Sequence, residues 1–241
     1  MKAQVLLPKV FNFPFTYNSK KDNKIGDLVE VPFGSKKEIG VIWKNSYLEP
    51  QNINIKDINR NTGYSINSNF IDFIEWFSIY NMVPVGLVLK MAIGGSDKFL
   101  KIEDDLIKSK KTPTKNFKLN YEQSEALKFL GKVNNKFDVS VLQGTTGSGK
   151  TLVYFERIKK IINQNNQALV LLPEIFLTND FKTRFEDFFG FEPAIWHSKI
   201  TPKQKRIIWK GIINNKIKIL VGARSALLLP FKKLGIIIVD E

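Results

Sequence analysis

The stretch Gly144-Thr145-Thr146-Gly147-Ser148-Gly149-Lys150-Thr151 has the residue types and spacing that phosphate chemistry requires. Its glycines let backbone N–H groups curl around an anion without side-chain clashes, and a helix amino terminus just beyond adds positive potential. In such a pattern Lys150 reaches the β- and γ-phosphates of a nucleotide and Thr151 ligates Mg²⁺. A phosphate loop also needs acids, one to hold the metal's water shell and one to polarise the attacking water. "IIIVDE" offers Asp240 for Mg²⁺ and Glu241 as general base, ninety positions after Lys150. They follow an apolar strand, at the end of it where α/β sheets place ligands. The spacing suits the core of a motor ATPase, with Lys150, Asp240 and Glu241 as candidate catalytic residues.

The elements that must position these groups are legible in the pattern of apolar residues. From about residue 118, "YEQSEALKFLGK" reads as a helix, "DVSVLQ" as a strand and "TLVYFERIKKIINQ" as a helix. "ALVLLP", "AIW", "IKILVG" and "GIIIVD" read as further strands, with helices over "IFLTNDFKTRFEDFF" and "TPKQKRIIWKGIINN". The last of these helices opens with Thr201, Pro202 and Gln204, a capping box with proline in its first turn. Apolar strands alternating with helices imply a parallel sheet covered on both faces. Residues 1–60 differ. Short runs such as "AQVLL", "DLVEVPF" and "EIGVIW" are divided by turn-formers including Lys24-Ile25-Gly26 and Phe33-Gly34-Ser35, as in a small barrel or sandwich. Then "NSNFIDFIEWFSIYNMVP" spaces Phe70, Phe73, Ile74 and Phe77 for a helix with Asn67 or Ser68 as cap, and Pro84 ends it or begins the next. The charged stretch around Pro113 reads as a linker.

Composition narrows the class. The chain has 241 residues, 37 basic and 23 acidic side chains, and a formal charge of +14. Residues 1–117 carry 17 basic against 12 acidic side chains and residues 118–241 carry 20 against 11, so the excess is spread over both halves. Basic surfaces recruit polyanions, which favours nucleic acid as partner, although solvated lysine-rich faces give the same count. No cysteine is present, which excludes disulfides and thiolate metal sites within the chain, and the single His197 cannot make a metal cluster alone. No apolar run approaches the ~20 residues that cross a bilayer, and the amino terminus is too broken for a secretory signal. The expectation is a cytoplasmic protein without a membrane partner.

Five blocks in order, "LNYEQSEAL", "GTTGSGKT", "LLPEIFLT", "HSKIT" and "VGARSALLLPFKKLGIIIVDE", resemble the helicase core of the PriA family, primosomal protein N-prime. "VPFGSKKEIGVI" resembles the same family's DNA-binding barrel. The likeness covers nearly the whole chain, most strongly from residue 119. It implies a multidomain protein: a β-rich, barrel-like 3′-end DNA-binding domain with trailing helix over 1–100, then a linker over 101–117. An α/β RecA-like P-loop domain follows over 118–241, the first lobe of a superfamily 2 helicase motor. The implied function is ATP-dependent 3′→5′ DNA unwinding that restarts stalled replication forks. The implied partners are forked DNA, primosome proteins and single-stranded-DNA-binding proteins, and the cofactors are ATP and Mg²⁺. Zinc is expected only in a carboxyl-terminal part that this chain lacks.

The resemblance also assigns residues. Gln123 reads the adenine edge beside the loop residues Gly144 to Thr151, with Thr151 and Asp240 holding Mg²⁺. Glu174 and Thr178 contact the DNA backbone. Arg224 and Ser225 suit phosphate contacts as well, with a structural salt bridge as the other reading of Arg224. In the barrel, Phe15, Tyr17 and Phe33 stack a base or pack the core, and Gly34 permits close backbone approach. Where the family has Phe-Asp-Tyr, this chain has Phe15-Thr16-Tyr17, so a neutral hydroxyl replaces the acid in the 3′-end pocket. The family's winged helix has no room between Leu100 and Lys118. The chain reads as an amino-terminal fragment ending inside the family's Asp-Glu-Glu-His block. It is expected to bind ATP and DNA but neither to hydrolyse rapidly nor to unwind, because the transition-state arginine comes from a second lobe. Two rivals stand beside this reading. One is a fork-binding adaptor that needs no ATPase, and the other is a P-loop enzyme for small molecules, against which the basic charge argues.

Overall fold

The computed structural model describes residues 1–20, 22–44, 54–94, 117–131, 137–173 and 178–240. The chain divides into two compact units. The first is built on five antiparallel strands: β1 (Lys2–Leu6), β2 (Phe15–Asn18), β3 (Asp27–Phe33), β4 (Lys36–Ile42) and β5 (Arg60–Ser65). Their order in the sheet is β2-β1-β4-β3-β5. Phe33 pairs with Lys36 across a two-residue turn, and Gly34 takes φ +60° there. That conformation suits the tight hairpin turns whose twist matches the strands, and glycine adopts it without cost. Val5, Leu7, Tyr17, Val29, Val31 and Ile42 form the core of this unit. Helix α1 (Ser68–Tyr80) follows, its start held by the Asn67 side chain accepting from Phe70 N at 2.8 Å. Helix α2 (Val85–Ile93) begins after Pro84 and ends at Gly94 in the left-handed region.

The second unit holds α3 (Tyr121–Gly131), α4 (Lys150–Asn163), β6 (Gln167–Leu171), α5 (Asn179–Phe189) and β7 (Ala194–Trp196). Helix α6 (Pro202–Ile213), β8 (Ile219–Gly222), a 3₁₀ turn (Arg224–Leu228) and β9 (Leu234–Val239) complete the chain. The four strands β7-β8-β6-β9 are all parallel. Burial explains why β6 and β8 read as unbroken apolar runs, since every residue of both is buried. Phe155 and Ile158 of α4 and Phe185, Phe188 and Phe189 of α5 pack with Ala168, Val170 and Val221 of the sheet. The rings of Phe185 and Phe189 lie 4.5 Å apart. Apolar strands and amphipathic helices thus give the α/β architecture expected, with an antiparallel β-rich unit ahead of it.

The expected strand over "DVSVLQ" does not form. Residues 137–145 have no strand hydrogen bonds, and Phe137, Val139 and Val141 are exposed. Alternating apolar residues make a strand only where a neighbour supplies the ladder, and among the described residues β9 pairs with β6 alone. Two strands were missing from the sequence reading, β2 and β5. The compact units also cut across the sequence order. Residues 201–214, which include α6, group with the first unit together with 227–232. There the buried Trp209 indole donates to Ala92 O at 2.8 Å, and Asn67 donates to Phe231 O at 3.0 Å. The capping box of α6 is present as expected, with Gln204 N donating to Thr201 Oγ1 and Thr201 N to Gln204 Oε1. The linker residues 101–116 lie outside the described residues.

Candidate functional site

Parallel pairing brings the motif residues of the second unit to one edge. Leu171 pairs with both Gly222 and Val239, and Trp196 pairs with Gly222, so the carboxyl ends of all four strands are in line. Within the next two residues along lie Pro173 after β6, His197 after β7, Arg224 after β8 and Asp240 after β9. This is the edge at which α/β sheets hold ligands. Asp240 extends the ladder by one step, its N–H donating to Leu171 O at 3.1 Å. Its carboxylate accepts from the Tyr154 hydroxyl of α4 at 2.9 Å. That bond spans 86 residues of sequence and joins the acid to the helix that leaves the phosphate loop.

The loop has the backbone that anion binding needs. Gly147 and Gly149 take φ +81° and +82°, and Gly149 begins α4 without any side-chain cap. Leu152 N donates to Gly149 O at 3.0 Å, while the N–H groups of Lys150 and Thr151 have no partner among the described residues and remain for a ligand, at the positive end of the helix dipole. Thr145, Thr146 and Ser148 lie on the exposed rim of the loop. The Lys150 ammonium donates to Gly144 O at 2.7 Å and to Thr145 O at 3.1 Å, so it arches over the loop. Gln123 is drawn into the same place. Its amide donates to Ser148 O at 3.0 Å and accepts from Asn120 N at 3.1 Å, while Asn120 Oδ1 accepts from Gln123 N. A β-carbon on Gly149 would stand 2.4 Å from Gln123 Nε2. Gln123 is thus packed against the phosphate loop, with both ends of its amide engaged by the protein.

These residues fit a nucleotide phosphate with Mg²⁺. The uncapped helix start and the lysine answer the anion, while the Thr151 hydroxyl and the Asp240 carboxylate are hard oxygen donors. Mg²⁺ is commonly held by one or two carboxylates together with substrate phosphates. Tyr154 is buried at 5 % exposure, and its phenol is pushed above the ordinary tyrosine range, first by burial and then by the Asp240 charge beside it. Nothing in the sequence reading singled it out, although its place three residues after Thr151 sets both on one face of α4.

The remaining candidates fall into place unevenly. Thr178 caps α5, its hydroxyl accepting from Phe181 N at 3.3 Å. Arg224 is exposed and makes no ion pair among the described residues, and Ser225 Oγ accepts from the Trp196 indole at 3.2 Å. His197 Nδ1 accepts from Lys199 N at 3.2 Å, a turn contact. Glu174 and Glu241 lie outside the described residues.

In the first unit, Phe15 and Phe33 belong to one aromatic cluster with Phe11 and Phe13, with the Lys9 ammonium 5.5 Å from the Phe33 ring centre. Phe15 and Phe33 are partly buried and Phe13 is 45 % exposed. Tyr17 is buried at 5 % exposure and its hydroxyl donates to Pro32 O, so its ring packs in the core of the unit. Of the two readings left open for Tyr17, packing is the one its surroundings match. Thr16 exchanges hydrogen bonds with the Gln4 amide at 3.1 and 3.4 Å, a partner that sequence reading did not name. Gly34 sits in open space at the hairpin tip.

Comparison with known proteins gives these two regions their names. Residues 4–94 match the 3′DNA-binding domain (3′BD) model of PriA, and residues 116–241 match the family model described as Type III restriction enzyme, res subunit. The chain is 36 % identical over 245 residues to the replication restart protein PriA of Rickettsia felis, covering 99 % of this chain and 37 % of that protein. It is 37 % identical over 244 residues to the one from Rickettsia prowazekii, with the same two coverages. The PriA of Helicobacter pylori strain J99 is 34 % identical over 230 residues, 95 % of this chain and 35 % of the relative. The chain therefore spans a little over a third of the length of these relatives. It belongs to the PriA family of replication restart proteins, and within it carries a 3′DNA-binding domain followed by a helicase-type domain.

Proposed function

We propose that the chain is the fork-recognising and nucleotide-binding part of an ATP-dependent 3′→5′ DNA helicase that restarts stalled replication forks. The observation that carries the reading is the junction of Lys150, Thr151 and Asp240 through α4 and β9, at the carboxyl edge of a parallel sheet. Lys150 and the free N–H groups of α4 bind the nucleotide phosphates, with Gly144 to Thr151 as the cradle and Gln123 at its side. Thr151 and Asp240 hold Mg²⁺, which when bound neutralises charge that builds on the transferred phosphoryl group. Glu241 orients and deprotonates the attacking water. Arg224, Ser225, Glu174 and Thr178 contact a DNA backbone, for which a guanidinium exposed at the sheet edge is suited.

In the first unit the aromatic cluster with Phe15 and Phe33 offers faces for a base, and the Thr16 hydroxyl offers a neutral partner for a 3′-terminal sugar. The match to a 3′DNA-binding domain supports that assignment. Primosome proteins and single-stranded-DNA-binding proteins are the partners the family implies, and the cytoplasm is the compartment. Among the described residues no helix is long and apolar enough to cross a membrane. Because a second lobe completes the ATPase site of such motors, the 241 residues alone bind nucleotide and DNA without rapid turnover.

The test uses the whole protein on a forked substrate, beside its Lys150→Ala variant. ATP-driven unwinding with 3′→5′ polarity, lost in the variant, supports the proposal. Restart activity that survives Lys150→Ala would favour a DNA-binding adaptor instead.

A further inference from the structure

We infer that Tyr154 is a positioning residue for the Mg²⁺ site, its hydroxyl tying the Asp240 carboxylate to the helix that carries Thr151. The inference rests on the nucleotide-binding reading given above and goes beyond it to a residue that reading does not require. Tyr154 is anchored on α4 one turn after Lys150, and its ring is buried against Phe155, the two centroids 5.2 Å apart. The hydroxyl emerges from this packing to donate to Asp240 Oδ2 at 2.9 Å. Thr151 stands three residues before Tyr154, on the same face of α4.

The direction of this bond follows from what each group can do. A carboxylate only accepts, so the tyrosine proton points to Asp240. The tie runs from α4, which carries Thr151, through the Tyr154 hydroxyl to the Asp240 carboxylate. A carboxylate with Oδ2 tied down keeps Oδ1 in one orientation. One phenol thus fixes the carboxylate against the helix that leaves the loop, although the two residues lie 86 apart in sequence. Partners of this kind, bonded to metal ligands and not to the metal, tune affinity nearly as strongly as the ligands do.

The test titrates ADP carrying a fluorescent ribose label into the chain, once with Mg²⁺ and once with EDTA. Tyr154→Phe keeps the buried ring and removes the hydroxyl. The gain in nucleotide affinity that Mg²⁺ brings falls about tenfold in this variant. Asp240→Asn combined with Tyr154→Phe loses no more of that gain than Asp240→Asn alone, because both break the same link. An unchanged Mg²⁺ gain in Tyr154→Phe overturns the inference. So does an equal loss of affinity with and without the metal, which is the signature of packing. Failure of the underlying reading looks different: Lys150→Ala then binds the labelled nucleotide as the parent does, or the parent binds none, and the inference falls with it.

Discussion

Replacing Gly149 with alanine asks whether the shape of the phosphate loop is what binds the nucleotide. Two separate penalties follow from the geometry. At φ +82° a β-carbon meets the steric cost of the left-handed region, about 1–2 kcal/mol. The same methyl would lie 2.4 Å from Gln123 Nε2, so the amide must leave its 3.0 Å bond to Ser148 O, at about 1 kcal/mol more. Together these disfavour the binding conformation by about 2–3 kcal/mol, or roughly 30- to 150-fold in nucleotide affinity. Gly147 is the internal control. It takes φ +81°, but no atom lies within 4 Å of an added β-carbon, so Gly147→Ala carries the strain alone, roughly 5- to 30-fold. Adding Gln123→Ala to Gly149→Ala relieves the clash and recovers part of the loss. The assay is titration with labelled ADP, with urea melts to confirm that each variant folds. Parent-like affinity in both glycine variants would refute the loop as the phosphate seat. Equal losses in both would refute the packing of Gln123 against it.

Two further outcomes test the elements around the sites. Thr178→Ala removes the hydroxyl that caps α5 and lowers stability by about 1 kcal/mol, read as a shift in a urea midpoint. A larger loss of DNA affinity than of stability in that variant would add a backbone contact to its capping role. In the first unit, Glu30 feels burial, which alone would raise its pKa. Hydrogen bonds from Arg60 and Asn59 and the charges of Arg60 and Lys37 outweigh this and hold the carboxyl below its ordinary range. A depressed pKa gives stability that is present above the unfolded value and lost as pH falls through the folded one. As pH falls through and below the ordinary carboxylate range the parent therefore loses more stability than Glu30→Gln, and identical slopes would contradict the ion pair's contribution.

Local chemistry made some of this readable in advance and left the rest hidden. The hairpin at Gly34, the capping box at Thr201 and Gln204 and the cap at Asn67 depend on residues three or four apart, and each is present. The buried strands β6 and β8 announce themselves because both faces are covered. β5 does not, because "RNTGYS" is a polar edge strand with Gly63 at φ +80° and little apolar signal. "DVSVLQ" misleads in the other direction, since alternation states which face is apolar but not whether a partner strand is present. The spacing of Gly144, Gly149, Lys150 and Thr151 pointed to a phosphate loop, and the positive φ of Gly147 and Gly149 and the helix that follows match that pattern, while the strand expected before it is absent. The tie from Tyr154 to Asp240 was not legible, because it depends on a sheet register that brings residues 86 apart together. Thr16 shows the same limit, its hydroxyl paired with Gln4 across β1 and β2, a register no local pattern states.

The central claim is that this chain seats a nucleotide on the loop from Gly144 to Thr151. The most direct measurement is calorimetric titration of ADP with Mg²⁺ into the 241-residue chain and into its Lys150→Ala variant. The account predicts saturable one-to-one binding by the parent and a loss of at least about tenfold in the variant, as expected when a charge-assisted contact to phosphate is removed. Binding of equal strength by both proteins, or none by the folded parent, would contradict it.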